Sequence, residues 1–325
     1  MREDWTRTKP VLDLDEETLE GLIEPVFPGC HIVKVATVTG GLTNTNLRVW
    51  LAGRPGSLLV RFYQRGGDIA HKEMALAEKV KGHVRVPEYY HFAPENPVTG
   101  HAFAVVEWIE AEPLQDMVHR LNKDDLAGIG QAIGGALAGI HGFTYGHFAF
   151  LDGKLAIGEP MDLSGKGLVD YLRFCLVEGR GGPRIGPKLT DRVMAFAARE
   201  GARIDAWEKT ACLVHGDFNL SNILVRRDEK RGWETAAVID WEYAFSGAPG
   251  IDFGNVMRPP LDGAESFLTG LERGYRDAGE TMPADWRRIA RITDLFSYAD
   301  DLHHAATSEA VVADAKREIE AIIAA

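Results

Sequence analysis

The stretch VHGDFNLSNILV, Val214 to Val225, constrains the fold more than any other part of the chain. A histidine, a glycine and an aspartate stand between two apolar segments that pattern as buried strand. An asparagine follows the aspartate at the fifth position. The apolar ILVRR then runs into the turn-rich DEKRG and a second apolar strand, ETAAVID, which reads as a β-hairpin. Asn222 precedes the first strand of that hairpin and Asp240 ends the second, so both fall at one end of it. Asp217, five residues before Asn222, joins them. Singly, an Asp or an Asn in a loop is a turn former. Three oxygen-bearing side chains brought to one sheet edge suggest a shared task.

The rest of the chain divides in two. Asp15 to Phe27 has the pattern of a short amphipathic helix, with Asp13 or Asp15 as N-cap. Strand-like runs follow in HIVKVATV, NTNLRVWLA and SLLVRFY, separated by Gly40-Gly41 and GRPG. Asp68 to Lys81 is helical in pattern, and Glu88 to Phe92 and His101 to Trp108 are further strands. After Glu110 the character changes. Pro113 to Arg120, Asp124 to His141, Leu168 to Glu178, Thr190 to Glu208 and Pro283 to His304 all pattern as helix. The reading is an α+β protein of two lobes: residues 1–110 a sheet lobe with one main helix, residues 111–325 a larger helical lobe, joined near Glu107 to Ala111.

Composition sets the outer limits. With 325 residues the chain can bury two sizeable cores. A formal net charge of -12 argues against a nucleic-acid binder and tilts mildly toward a cationic small partner. Three widely spaced cysteines form neither a disulfide framework nor a metal-ligand pattern, which suits a reducing, cytoplasmic compartment. No apolar leader and no membrane span are expected.

Phosphoryl transfer asks a protein for positioned magnesium, a fixed nucleophile and charge stabilisation. An Asp on a rigid loop suits removal of an acceptor proton. Magnesium prefers hard oxygen ligands. Asp217, Asn222 and Asp240 have the spacing that this chemistry uses. The literal Asp252-Phe253-Gly254 matches a known metal-binding triplet letter for letter, yet it follows SGAPG and opens an apparent helix. There an Asp is a helix N-cap or an anchor for the loop. Asp240, at the end of a paired strand, is the better metal ligand.

On VHGDFNLSN (Val214–Asn222), VIDWEYA (Val238–Ala244) and PGIDFGN (Pro249–Asn255), the chain resembles the aminoglycoside phosphotransferase family of the protein-kinase-like superfamily, related to choline and homoserine kinases. Weaker echoes are GGLTNTN, LLVRFY and VVEWIEA. The resemblance implies a bilobal kinase-like fold, ATP or GTP as phosphoryl donor and Mg2+ as cofactor. It implies Asp217 as catalytic base, Asn222 and Asp240 as metal ligands, and His215 as loop support. Arg61 stands where a protein kinase has a lysine, with Glu73 as its helix partner. Arg grips phosphate in a bidentate way and is not a neutral replacement for Lys. Gly41, Thr43 and Asn44 would cover the nucleotide, and the backbone of Glu107 and Ile109 would hold the base.

The acceptor is the least legible part. Glu242 and the acidic run Asp294, Asp300 and Asp301 are candidate contacts for an amine-bearing acceptor, although a helix face with Asp and His is commonly just solvated. Trp241, Tyr243, Phe245, Phe296 and Tyr298 are candidates for an aromatic wall. The first expectation is a small-molecule O-kinase acting on an aminoglycoside or another antibiotic. A metabolite kinase for choline, ethanolamine or homoserine, and a catalytically silent nucleotide-binding scaffold, are the alternatives.

Overall fold

The computed structural model describes residues 9–38, 43–64, 67–207 and 211–325. Gly40 and Gly41 lie outside the described residues. The first lobe comprises α1 (Glu16–Ile23), β1 (Ile32–Thr37), β2 (Thr45–Leu51), β3 (Leu58–Tyr63), α2 (Gly67–Val80), β4 (Tyr89–Ala93) and β5 (Ala102–Glu107). Its strands form one antiparallel sheet in the order β1-β2-β3-β5-β4.

Asp15 caps α1 by accepting from Thr18 N at 2.8 Å, and Glu16 and Glu17 in the first turn favour the positive end of the helix dipole. The helix is shorter than the predicted run to Phe27. It lays Leu19, Leu22 and Ile23 on one sheet face, against Leu47, Val49, Val60 and Phe62. Full burial of each such side chain contributes roughly 2 kcal/mol. Strand alternation sends Arg61, between Val60 and Phe62, to the opposite face, toward α2.

The connector runs from Glu107 to β6 (Glu112–Pro113), which pairs with a strand of the second lobe. That lobe continues through α3 (Leu114–Met117), α4 (Lys123–His141), β7 (Ala149–Phe150), α5 (Gly165–Leu172), α6 (Gly181–Ile185), α7 (Pro187–Glu200) and β8 (Cys212–Val214). After the hairpin β9 (Ile223–Asp228) and β10 (Gly232–Val238) come β11 (Phe245–Gly247), α8 (Gly250–Val256), α9 (Glu265–Asp277), α10 (Trp286–Thr293), α11 (Leu295–His303) and α12 (Glu309–Ala324). Two small sheets, β10-β9-β6 and β7-β11-β8, carry the loops between them.

Several predicted helices end differently, each for a local reason. Leu168 to Glu178 becomes α5 plus a π-helical turn, Arg173–Glu178. Thr190 to Glu208 starts earlier, at Pro187, where a proline suits the first helical position. It ends at Glu200 and passes into a 3-10 turn, Gly201–Ala206; Glu208 lies outside the described residues. Pro113 to Arg120 divides into α3 and a 3-10 turn, and Pro283 to His304 divides into α10 and α11 at Asp294. The sequence reading missed α6, α9 and α12.

The pairing of α4 and α9 positions the loop described below. Their backbones nearly touch. A Cβ on Gly130 would stand 2.3 Å from the Phe267 carbonyl oxygen, and one on Gly274 would stand 2.0 Å from that of Gln131. No side chain fits at either position. The large-lobe core lies beneath this pair and includes Phe218, Phe253, Phe267, Tyr275 and Trp286. Among the described residues no helix is long and apolar enough to cross a membrane.

Candidate active site

The strand β8 delivers the chain to His215, which is fully buried. Its Nε2 faces Ile239 O at 3.0 Å, and Asp217 N donates to its Nδ1 at 3.3 Å. Those partners require the proton on Nε2. The ring therefore ties the loop to the residue before Asp240. Gly216 turns at φ +78°, and a Cβ there would lie 2.5 Å from Tyr243 O, so both conformation and space call for glycine.

Asp217 follows with both carboxylate oxygens engaged. Asn219 Nδ2 donates to Oδ1 at 2.6 Å, and Asn222 Nδ2 donates to Oδ2 at 3.1 Å. Asn222 Nδ2 also reaches Asp217 O at 2.9 Å, which fixes the amide and leaves its Oδ1 turned elsewhere, 3.4 Å from Ser221 Oγ. Across the hairpin, Ile239 N donates to Asn222 O at 3.0 Å. The structure thus brings Asp217, Asn222 and the Asp240 backbone to one end of β9 and β10. Asp240 itself has φ +69°, ψ +59°. Left-handed backbone at a residue other than glycine costs about 1 kcal/mol and clusters at functional sites.

Asp252 lies elsewhere and does something different. It is inside the first turn of α8, not at its N-cap, and is fully buried. Its Oδ2 accepts from His215 N at 2.8 Å and its Oδ1 from Gly216 N at 2.9 Å. His141, at the end of α4, brings Nε2 to 3.2 Å of the same carboxylate, and Tyr275 of α9 holds the other ring nitrogen at 3.0 Å. Of the two sequence readings, anchor for the loop is the one observed. A second tether runs in parallel: Phe218 N donates to Asn255 Oδ1 at 3.1 Å, and Asn255 Nδ2 donates to Asp294 at 3.1 Å. Arg258 closes that chain with two hydrogen bonds to Asp294, at 2.9 and 2.7 Å. Asp294 is therefore a buried brace, not a rim acid. Sequence reasoning missed His141, Asn255 and Arg258; only Asn255 stood in a quoted motif.

The two lobes meet at Arg61. One guanidinium nitrogen donates to Asp240 Oδ1 at 2.8 Å and to Glu73 Oε1 at 3.2 Å. Burial pushes the Glu73 carboxyl up to about 8, against the pull of Arg61. Burial works the same way on Asp240, but the Arg61 charge and hydrogen bond outweigh it and hold that carboxyl below its usual value. A second link runs from Lys72 Nζ in α2 to Glu242 O at 3.0 Å. Lys72 was not singled out, although it adjoins Glu73.

Of the other predicted nucleotide contacts, Thr43 and Asn44 are buried, and Asn44 Oδ1 accepts from Gln64 N at 3.2 Å. Gly41 lies outside the described residues. Glu107 turns its side chain to Arg85, at 2.5 Å, and to Glu88 N, at 3.1 Å. Ile109 packs with Leu224, Ala236 and Ala237 in an apolar patch between the connector and the hairpin.

On the acceptor side, Trp241 and Tyr298 prove to be core residues, each 3% exposed, and take no part in a wall. Asp300 is exposed and accepts from Tyr171 Oη at 2.7 Å. Asp301 is partly buried, and burial pushes its carboxyl up to about 6. Arg258 opposes that shift, while Asp217, Asp300 and Asp294 add to it. A carboxyl that holds its proton more tightly when folded favours folding most at low pH, and that contribution is lost as pH rises from about 4 to about 6. Asp301→Asn is therefore expected to gain about 1 to 2 kcal/mol relative to the parent between pH 4 and pH 7, partial exposure having reduced the effect. Denaturant titrations at both pH values check this; a constant difference would contradict it.

Residues 34–292 match the family model described as the phosphotransferase enzyme family, APH. The fold is shared with solved structures at low identity. The GDP complex of wild-type aminoglycoside 2'-phosphotransferase-IIIa is 18% identical, over 96% of this chain and 99% of that one, with a TM-score of 0.70. A thermostable mutant of aminoglycoside phosphotransferase APH(4)-Ia, in ternary complex with AMP-PNP and hygromycin B, is 18% identical over 94% and 98%, with a TM-score of 0.65. The GDP and kanamycin complex of APH(2")-IIia is 18% identical over 94% and 98%, with a TM-score of 0.70. No curated protein matches the sequence. The expected α+β arrangement, an antiparallel sheet lobe and a helical lobe, is the one these structures share.

Proposed function

The chain belongs to the phosphotransferase enzyme family, and on that premise we propose that it moves the γ-phosphate of ATP or GTP to a hydroxyl of a small-molecule acceptor. One observation carries the reading: Asp217 and Asn222 share hydrogen bonds at the hairpin end where Asp240 meets Arg61. Residues 1–110 form the nucleotide lobe and residues 111–325 carry the loop and the acceptor site. The base lies on the Ile109 and Leu224 patch, held by the backbone of Glu107 and Ile109, while Thr43 and Asn44 cover the phosphates. Arg61 grips the phosphates, with Glu73 setting its position.

The donor set fits a magnesium ion, since the Asp240 carboxylate and the Asn222 amide oxygen are hard ligands and their number leaves room for phosphate oxygens and water. Bound there, magnesium neutralises charge on the phosphates. Asp217 then has a defined task. Its carboxylate, fixed by two amide donors, orients the acceptor hydroxyl and takes its proton as the oxygen bonds to phosphorus and the nucleoside diphosphate leaves. His215 and Asp252 hold the loop and touch no reactant.

The finer reading is an antibiotic-modifying kinase, in keeping with structural neighbours that carry hygromycin B or kanamycin. Choline, ethanolamine and homoserine belong in the same acceptor panel, as the metabolite alternative. Arg61→Met is expected to weaken nucleotide binding ten- to a hundredfold, about 1.4 to 2.7 kcal/mol, because it removes the phosphate contact and leaves Glu73 and Asp240 without their shared cation. Titration with ATP and GTP measures it; unchanged affinity would remove Arg61 from the clamp.

A further inference from the structure

The π-helical turn Arg173–Glu178 extends α5, and such turns are frequent at functional sites. It leaves Phe174 50% and Val177 57% exposed on one short segment. Phe174 does not stand alone. Its ring is 6.3 Å from Tyr171 and 4.8 Å from His303, and Tyr171 is 5.6 Å from Phe296. Phe296, Asp300 and His303 recur at helical spacing along one side of α11. Tyr171 Oη donates to Asp300, so rings and acid form one cluster. The cluster borders the reacting end of the molecule, because α11 starts at Asp294, which Asn255 ties to Phe218 N beside Asp217. A second apolar group adjoins the same loop. Phe245 would come within 3.3 Å of a Cβ on Gly216, and Phe150, 66% exposed, is 5.7 Å from it.

The charges here are few. A polycationic acceptor calls for an ionised carboxylate at each ammonium. Asp294 is spent on Arg258, and of Asp300 and Asp301, adjacent on the helix and so turned in different directions, Asp300 is the one on the ring side, beside Tyr171. One ammonium can be matched. The rings, by contrast, with Phe174 exposed and Tyr171 and Phe296 partly buried beside it, ask for apolar surface.

We propose that the acceptor is a monocationic amphiphile: a hydroxyl carrier whose apolar face lies on Phe174, Tyr171 and Phe296 while its single protonated amine meets Asp300. The inference rests on the phosphotransferase reading and narrows its acceptor. The amine and the apolar body are both required. Charge alone draws the molecule in, and ring contact holds it with the hydroxyl toward Asp217.

The test uses the full-length protein and a graded series, N-alkyl-N-methylethanolamines with methyl, butyl and octyl chains, with kanamycin as the polycationic control. Calorimetry gives binding in the presence of a magnesium–nucleotide analogue, and phosphate transfer is measured separately. Binding should tighten about three- to fourfold for each added methylene that reaches the rings, and kcat/KM should follow the same order. Phe174→Ala, at an exposed position that leaves the core intact, should flatten that dependence while leaving nucleotide affinity unchanged. Binding that ignores chain length, or a Phe174→Ala protein with the parent's chain-length dependence, overturns the inference. Transfer to kanamycin with a flat alkyl series also overturns it, and leaves the phosphotransferase reading standing. A steep, Phe174-dependent binding series without transfer supports the acceptor surface and counts against the phosphotransferase reading instead.

Discussion

Asp217→Asn is expected to lower acceptor-dependent turnover about a thousandfold, within the 10² to 10⁴ range that a positioned general base contributes, while nucleotide affinity changes less than about threefold. The substitution keeps size and replaces a proton acceptor with an amide. The loop should keep its course, because His215, Gly216 and Phe218 are held by Asp252 and Asn255 and not by Asp217. The carboxylate is held in place by Asn219 and Asn222, so its loss is a loss of chemistry more than of structure. Steady-state turnover and nucleotide titration on the same preparation separate the two. Residual turnover within tenfold of the parent would remove Asp217 from the role of base.

The second large effect is a contrast between two aspartates that sequence motifs confuse. Asp240→Ala should leave the protein folded and weaken magnesium-dependent nucleotide binding by about a hundredfold, roughly 2.7 kcal/mol. Asp240 accepts from Arg61 at the lobe junction, and Arg61 keeps Glu73 as a partner without it, so removing it costs the fold little. Asp252→Ala should do the reverse, destabilising the protein by about 3 to 5 kcal/mol. It would strip the acceptor from two buried backbone amides and from His141, and an unsatisfied buried donor costs about 1 to 3 kcal/mol. Thermal unfolding and nucleotide titration on both variants decide the matter. If Asp252→Ala lost magnesium-dependent binding while keeping its stability, the literal Asp-Phe-Gly triplet would be the metal site.

How much of this could be read in advance follows from sequence separation. Asp217, Asn222 and the hairpin that brings Asp240 to them lie within one short stretch, where spacing and strand alternation carry the geometry. The anchor at Asp252 was legible only as one of two options, since the amides it holds, His215 N and Gly216 N, lie far back in the chain, and His141, which Tyr275 positions, comes from a helix more distant still. The helix α9 escaped notice because Gly270 and Gly274 weaken its pattern; their purpose, close approach to α4, exists only in the packed molecule. The break at Asp294 carries no Gly or Pro signal, and the residue that looked like part of a solvent-facing acid run is 2% exposed and bound to Arg258. The acceptor side was the least visible. Trp241 and Tyr298 read as wall and are core, while exposed Phe174 and its half-buried neighbour Tyr171 lie far from the motifs that drew attention.

The most direct measurement is magnesium-dependent phosphate transfer by the purified protein, with ATP and GTP in parallel. The acceptor panel holds aminoglycosides, amphiphilic amino alcohols, choline, ethanolamine and homoserine. Nucleoside diphosphate should form in equal amount with one phosphorylated acceptor class, and both should vanish without magnesium and in Asp217→Asn. Nucleotide bound tightly, with turnover that no acceptor raises above the Asp217→Asn background, would contradict the account and leave the chain a nucleotide-binding scaffold.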